Sequence, residues 1–167
     1  MINLIIYDFD NTLIRTQAHV IVEYMDGSIK RIPSQLFTLE VSSDNKYDFS
    51  EFEDVCHKTS LVLNSIENLY SDLSKYYRHP DYYICLLTAR KNPEPIRDFL
   101  MRMGIRIFFP IHAVEGTENK LFWIKDFISN NYVKSITLYD DDKFLLESVG
   151  HMAERSFIEF NGILINE

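Results

Sequence analysis

Two aspartates stand one residue apart at the end of a short apolar run near the start of the chain. Residues 4–7 form the run, Asp8 and Asp10 follow it, and Asn11 and Thr12 come next. An apolar run of this length, bounded by polar residues, predicts a buried strand. Carboxylates at a dry strand end cost free energy unless a cation or a proton offsets their charge. The pair therefore indicates a cation site at the end of this strand.

Three further groups of polar residues follow later apolar runs or begin a later helix. Thr88 and Arg90 come at the end of the second apolar run, and the acidic residues 140–142 come at the end of the fourth. Lys120 falls at the start of the third helical pattern. Because open parallel sheets bind ligands at the carboxyl ends of their strands, we expect these groups to converge on Asp8.

Assembled at one edge of a sheet, these residues would supply several carboxylates, one hydroxyl and one ammonium. Two like unit charges about 4 Å apart repel by roughly 4 kcal/mol at an effective dielectric near 20. Three or more acids together therefore call for a hard cation with oxygen ligands, and Mg²⁺ fits best. The cation and Lys120 would hold a phosphoryl group between them, with Asp8 as its nucleophile. Asp10 would protonate the leaving oxygen and later activate water.

Buried-strand patterns recur along the chain with helical patterns between them. The strands are predicted at residues 4–7, 83–87, 105–109, 136–139 and 157–160. Apolar residues at helical spacing predict four helices. The first contains Val62, Ile66, Leu69 and Leu73, and the fourth contains Leu145 and Val149. The second and third are predicted at residues 92–104 and 121–130. Alternation of this kind predicts an α/β fold with a parallel sheet and right-handed crossovers.

One segment departs from the alternation. Residues 19–32 predict two strands around an Asp-Gly turn at 26–27, which is a strong hairpin signal. Residues 34–60 are polar and irregular in pattern, with a short strand expected at 37–41. We interpret residues 15–60 as an excursion from the sheet. Because it leaves just after the first strand, we expect it to cover the site.

Composition narrows the class of protein. The chain has 167 residues, of which 46% are hydrophobic, enough for one well-packed core, so we expect a single domain over residues 1–167. The formal net charge of −8 argues against sequence-independent binding to long nucleic acid, although it allows a local basic patch. The two cysteines, Cys56 and Cys85, indicate no disulfide framework, which is typical of a reducing compartment.

Signals for targeting and for zinc are lacking in the sequence. No apolar stretch approaches the length of a membrane span, and no basic region precedes an apolar segment at the N-terminus. We therefore expect a cytoplasmic protein that does not engage a membrane. The five histidines are scattered without zinc-type spacing, so no zinc site is expected. Nothing in the pattern indicates an oligomeric state.

The four polar groups together resemble the motifs of the haloacid dehalogenase superfamily of phosphohydrolases. The first motif of that family, Asp-x-Asp-x-Thr/Val, matches Asp8, Asp10 and Thr12. The second, third and fourth motifs, which are a strand-end hydroxyl, a helical lysine and an acidic pair, match Thr88, Lys120, Asp140 and Asp141. Their order and strand context match across nearly the whole chain.

The resemblance implies a Rossmann-like sheet and a Mg²⁺-dependent phosphatase that forms an aspartyl-phosphate on Asp8. It implies that Asp10 is the general acid and base and gives its backbone carbonyl to Mg²⁺. The other implied metal ligands are Asp8, Asp141 and Asp140. Thr88 and Lys120 would bind the phosphate. The hairpin would be a flap beside the nucleophile, and the modest insertion after it makes a large cap domain unexpected.

Substrate binding is predicted less sharply than the chemistry. Asn11 is a candidate contact to the substrate, and Arg90 is either a phosphate or carboxylate contact or part of a surface ion pair. The Thr-Ala-Arg sequence followed by a helix that begins with proline is similar to polynucleotide kinase-phosphatases and some nucleotidases. This resemblance favours a nucleotide or a nucleic-acid 3′ end as substrate, with other phosphorylated small molecules and phosphoproteins left open.

A local run of basic residues would suit a polyanionic ligand, or would form only the solvated face of a helix. Its members are Arg90, Lys91, Arg97, Arg102 and Arg106.

Two alternatives to a phosphohydrolase are a non-catalytic metal-binding module with a regulatory or interaction role, and a phosphotransferase that passes the phosphoryl group to an acceptor other than water.

Overall fold

A five-stranded parallel sheet forms the centre of the computed structural model, which describes residues 1–33, 42–53 and 61–166. Its strands are β1 (Ile2–Tyr7), β7 (Tyr82–Thr88), β8 (Ile111–Ala113), β9 (Val133–Asp140) and β10 (Glu159–Leu164). They lie in the order β10-β9-β1-β7-β8, and every neighbouring pair is parallel. The central strand β1 therefore ends between the carboxyl ends of β7 and β9.

Four helices cover the two faces of this sheet. They are α1 (Ser65–Tyr76), α2 (Glu94–Arg102), α3 (Thr117–Asn130) and α4 (Lys143–Arg155). Alternate residues of β1 point to opposite faces. Ile5 and Tyr7 join a buried cluster with α1 and α2, whereas Leu4 and Ile6 join a second buried cluster with α3 and α4. The α/β fold with a parallel, Rossmann-like sheet between helical layers agrees with the prediction.

Three of the predicted strands are confirmed with slightly longer bounds. Residues 4–7 lie in β1, residues 83–87 lie in β7, and residues 136–139 lie in β9. Helices pack on both faces of this sheet, so these runs are mostly apolar and easy to recognise.

The strand predicted at residues 105–109 is wrong, because pairing with β7 begins only at Ile111. Gly104 has a φ of +89°, and the Ile105 amide donates to the Leu100 carbonyl at 2.9 Å, which closes the end of α2. Ile105 and Phe109 are buried against the core. The segment thus has the burial alternation of a strand without a neighbouring strand to pair with.

The last strand is displaced from the prediction of residues 157–160. It begins at Glu159, because Phe157 belongs to the end of α4. Phe157 has a φ of +55° and is almost fully exposed. The Ile158 amide donates to the Ala153 carbonyl at 2.9 Å, which completes the helix end before the chain can enter the sheet.

The two ends of the segment that follows β1 pair with each other. Strand β2 (Ile14–Arg15) pairs in antiparallel fashion with β6 (Leu61–Val62), and the Leu63 amide donates to the Leu13 carbonyl at 2.9 Å. The prediction that Val62 belongs to the first helix is therefore wrong. Pairing with Ile14 holds Val62 in a strand, and α1 begins at Ser65.

A second, antiparallel sheet lies within this segment. Strands β3 (His19–Glu23) and β4 (Ile29–Pro33) form the predicted hairpin, and β5 (Lys46–Asp48) pairs with the other edge of β3. A 3₁₀ turn follows at Ser50–Glu53. The expectation of irregular structure is thus wrong for residues 46–53, whereas the strand expected at residues 37–41 lies outside the described residues.

Two further expectations concern the environment of Cys85 and membrane-spanning helices. Cys85 is a free, fully buried thiol in β7, as its apolar surroundings predict. Among the described residues, each helix is too short or too polar to cross a membrane.

Candidate active site

The loop after β1 holds Asp8 and Asp10 at the carboxyl edge of the sheet. The Asp8 amide continues the sheet pairing by donating to the Tyr139 carbonyl at 2.9 Å. The Phe9 carbonyl then accepts from the Leu13 amide at 2.9 Å, so the chain reverses at once. Asn11 sits at the turn with a φ of +58°, a conformation that asparagine tolerates better than most residues.

Lys120 joins the ends of two neighbouring strands. Its Nζ donates to Asp8 Oδ1 at 2.7 Å and to Asp140 Oδ2 at 3.0 Å, and all three side chains are buried. Lys120 reaches them from the first turn of α3, which begins directly after Gly116. The predicted convergence of the first, third and fourth polar groups is therefore observed.

A third carboxylate completes an acidic cluster around this lysine. Asp8, Asp140 and Asp141 each offer one oxygen, and these oxygens lie within 4.8 Å of one another. Asp141 is more accessible than the other two and so faces the open side of the cluster. Three carboxylates share one ammonium, which leaves up to two negative charges without a partner in the cluster.

The pKa shifts follow from this crowding. Burial raises the pKa of Asp8 well above its usual value, and the nearby acids add to that effect while Lys120 opposes it. Burial and the Asp140 charge raise the pKa of Asp141 to about 6, against smaller opposing effects of the Lys120 charge and of hydrogen bonds, one of them from Asn11. Burial lowers the pKa of Lys120, but Asp8 and Asp140 outweigh it, so the net shift is upward and Lys120 stays charged.

The cluster fits a divalent cation. Its donors are carboxylate oxygens, which hard cations prefer. A charge of two would offset what Lys120 leaves unpaired, and it would relieve the repulsion that raises the pKa values of Asp8 and Asp141. Asp8, Asp140 and Asp141 are therefore the residues that would hold a metal ion.

Asp10 does not join this cluster through its carboxylate. Arg90 Nε donates to Asp10 Oδ2 and Arg90 Nη2 donates to Asp10 Oδ1, both at 2.7 Å. The Arg90 Nη1 donates to the Phe52 carbonyl at 2.7 Å. Arg90 is only 5% exposed, so the alternative that it forms a surface ion pair is wrong. Its guanidinium faces Asp10 and the 3₁₀ turn.

Two hydroxyl groups complete the inner surface of the site. Thr88 is buried at the end of β7, and its Oγ1 accepts from the Arg90 amide at 3.2 Å. Thr12 is also buried and donates from its hydroxyl to Asp8 Oδ2 at 3.3 Å. Asp8 is thus held by Lys120 on one oxygen and by Thr12 on the other.

The third residue of the acidic run has a different position from its neighbours. Asp142 is the N-cap of α4, and its carboxylate accepts from the amides of Phe144 at 2.9 Å and Leu145 at 3.1 Å. Asp142 also donates its own amide to Asp140 Oδ1 at 2.9 Å. The run therefore provides two members of the acidic cluster and one helix cap.

The predicted basic run does not form one continuous surface. Arg90 is buried against Asp10, and Arg97 stacks its guanidinium 4.2 Å from the centre of the Phe108 ring. Lys91 pairs with Glu115 at 3.8 Å on the surface. The run therefore contributes separate contacts of different kinds.

Comparisons of this chain with family models, with curated proteins and with solved structures gave no match.

Proposed function

We propose that this protein is a Mg²⁺-dependent phosphohydrolase that cleaves a phosphate monoester through an aspartyl-phosphate on Asp8. The observation that carries the proposal is the buried contact of Lys120 with Asp8 and Asp140, beside Asp141, at the carboxyl edge of a parallel sheet. Structural ion pairs usually balance their charges, whereas this group holds an excess of acid. The excess of acid would attract a metal ion, and the metal ion together with Lys120 would attract an anionic phosphoryl group.

The first chemical step forms a bond between a carboxylate oxygen of Asp8 and phosphorus, and it breaks the bond from phosphorus to the leaving oxygen. Asp10 donates the proton that the leaving oxygen takes up. In the second step, water attacks the same phosphorus while Asp10 removes its proton, and the bond to Asp8 breaks. Inorganic phosphate leaves and Asp8 returns to its starting state.

Lys120 stays protonated in this mechanism because two carboxylates hold its charge. Its ammonium orients Asp8 before the reaction and neutralises charge on the phosphoryl oxygens during it. The hydroxyl of Thr88, on the adjacent strand, would contact the same phosphoryl group, and Asn11 would contact the substrate at the mouth of the site. A bound Mg²⁺ would supply further positive charge to the phosphoryl oxygens and would be held by Asp8, Asp140, Asp141 and the Asp10 backbone carbonyl.

The segment from residue 15 to residue 60 acts, in this proposal, as a flap and a small cap of the haloacid dehalogenase type. Two observations support this role. The pairing of Ile14 with Val62 fixes both ends of the segment directly behind the Asp8 loop. The Phe52 carbonyl reaches Arg90, which itself contacts Asp10. A cap of this size leaves room for a bulky substrate, and we propose a nucleotide or a nucleic-acid 3′ end, with other phosphorylated small molecules as competitors.

The test is phosphate release from an aryl phosphate and from a panel of nucleotides, phosphorylated metabolites and 3′- or 5′-phosphorylated oligonucleotides. We expect release that requires Mg²⁺ and stops with EDTA. Asp8→Asn should reduce turnover by on the order of 10³-fold or more. Binding of Mg²⁺ without turnover on any member of the panel would instead support a non-catalytic metal-binding module. Transfer to added alcohols in preference to water would support a phosphotransferase.

A further inference from the structure

Arg90 makes contacts that the proposed mechanism leaves without a purpose. Its guanidinium is buried and meets acceptors from two separate parts of the chain, the Asp10 carboxylate and the Phe52 carbonyl. Burying a guanidinium costs free energy unless its hydrogen bonds are made, so these partners hold it firmly. Arg90 therefore links the Asp8 loop to the 3₁₀ turn at Ser50–Glu53.

The contact with Arg90 fixes the orientation of the Asp10 carboxylate as well as its position. Two parallel hydrogen bonds of 2.7 Å, one to each oxygen, prevent the carboxylate from turning about its own axis. Each oxygen of a carboxylate has two lone-pair positions, so one position on each oxygen stays available for a proton. Arg90 can thus orient Asp10 without blocking the proton transfer that the mechanism requires.

Two aromatic rings also contact the Arg90 guanidinium. The Arg90 guanidinium carbon lies 5.4 Å from the centre of the Phe9 ring and 5.5 Å from the centre of the Phe52 ring. Phe9 stands between the two aspartates, and Phe52 stands in the 3₁₀ turn. The same two segments are therefore joined through ring contacts as well as hydrogen bonds.

We propose that Arg90 is a positioning residue that fixes the Asp10 carboxylate for proton transfer and couples its orientation to the 3₁₀ turn at Ser50–Glu53. This inference rests on the proposed phosphohydrolase function for its kinetic consequence. The coupling between Asp10 and the turn stands independently of that function. Arg90 acts on the acid and not on the phosphoryl group.

The first test uses two substrates that differ in their need for a general acid. The leaving group of p-nitrophenyl phosphate departs with little help from a proton, whereas that of glycerol phosphate needs one. We expect Arg90→Gln to lower kcat for glycerol phosphate by on the order of 10²-fold and kcat for p-nitrophenyl phosphate by less than about tenfold. KM should change little for either substrate.

Arg90→Lys keeps the charge and loses the bidentate geometry. It should therefore also lower kcat more for glycerol phosphate than for p-nitrophenyl phosphate, even if Arg90→Gln fails to fold. Arg97→Gln is the matched control, because Arg97 also stacks on a phenylalanine and points to a backbone carbonyl, that of Phe109, away from the site. The control should leave both rates unchanged. Equal losses on both substrates, a faster rate, or a raised KM as the main effect would overturn the proposal.

The second test needs no turnover. Hydrogen exchange should accelerate in residues 46–53, including the Phe52 amide, in both Arg90→Gln and Asp10→Ala, because each variant breaks the same link. Arg97→Gln should leave that exchange unchanged. If the wild-type protein hydrolyses no member of the phosphate panel, the proposed function fails while this result still decides the coupling. Unchanged exchange in either variant would overturn it.

Discussion

Two buried cations hold the two aspartates of the Asp8 loop, and their charges are balanced in different ways. Lys120 faces Asp8 and Asp140 with Asp141 beside them, so the acids outnumber the ammonium. Arg90 faces the carboxylate of Asp10 through two matched hydrogen bonds. Among the described residues, carboxylates outnumber cations in the first group, whereas one guanidinium meets one carboxylate in the second. In the proposed mechanism, the first group holds the metal ion and the nucleophile, and the second holds the acid and base, Asp10, together with the arginine that orients it.

The largest expected effect breaks the first group. Lys120→Met should lower the free energy of unfolding by about 3–5 kcal/mol in metal-free protein at neutral pH, because it leaves two buried carboxylates without their cation. Urea denaturation measures the change. Lys125→Met, an exposed position on the same helix, is the control and should cost far less. A similar loss at both positions would show that the charge of Lys120 is unimportant for stability.

The next effect is the response of the first group to Mg²⁺. At about 100 times its Kd, Mg²⁺ should stabilise the wild-type protein by about 2.7 kcal/mol. Asp141→Asn should lose most of that gain in a thermal denaturation series. Asp142→Asn, at the adjacent residue, should keep it, because asparagine also serves as a helix cap. Equal loss in both variants would contradict the assignment of Asp141 as a ligand.

The acidic cluster should make stability depend on pH. The pKa of Asp141 is raised to about 6 from 3.8, and that of Asp8 is raised as well, so their ionisation opposes folding. The contribution of these two carboxyl groups to the free energy of unfolding is therefore fully present below their ordinary pKa. It is lost as the pH rises through about 6.

In EDTA, the free energy of unfolding of the wild-type protein should therefore fall by about 1 kcal/mol relative to that of Asp141→Asn between about pH 4 and pH 7. The value is modest because solvent screens this carboxylate. Denaturant titrations of both proteins across that range measure the difference. A difference that stays constant with pH would refute the raised pKa of Asp141. Mg²⁺ should bind more weakly below about pH 6, because the proton competes for the same oxygens.

The smallest effect concerns the acid that belongs to neither group. Asp142→Ala removes the cap of α4 and should cost about 1 kcal/mol of stability. Turnover and the stabilisation by Mg²⁺ should be unchanged within error. Loss of metal binding in this variant would move Asp142 into the acidic cluster.

The Lys120 group was predictable from the sequence, and the Arg90 group was not. Asp8 and Asp140 each end a buried apolar run, and the carboxyl ends of parallel strands lie at the same edge of the sheet. The contact between Asp10 and Arg90 depends on β7 lying next to β1 with Tyr7 opposite Leu86. Strand order and register of that kind are set by packing over the whole sheet, which a local pattern does not contain.

The errors in the fold have a similar origin. Residues 105–109 alternate between buried and exposed positions, yet no described strand pairs with them, so periodicity alone predicted a strand that does not form. Lys46–Asp48 has only one partly buried residue and forms a strand because the edge of β3 supplies its hydrogen bonds. Hydrophobic patterns identify segments that bury side chains, whereas ladder pairing also needs a partner in the right place.

The central claim is that Asp8 becomes covalently phosphorylated, and trapping that state tests it most directly. The protein would be mixed with Mg²⁺ and a turned-over substrate, quenched in acid, reduced with borohydride and analysed by peptide mass spectrometry. Reduction converts an aspartyl-phosphate to homoserine. We predict homoserine at position 8, dependent on substrate and absent from Asp8→Asn. Turnover without modification of Asp8, or with modification at another residue instead, would contradict the account.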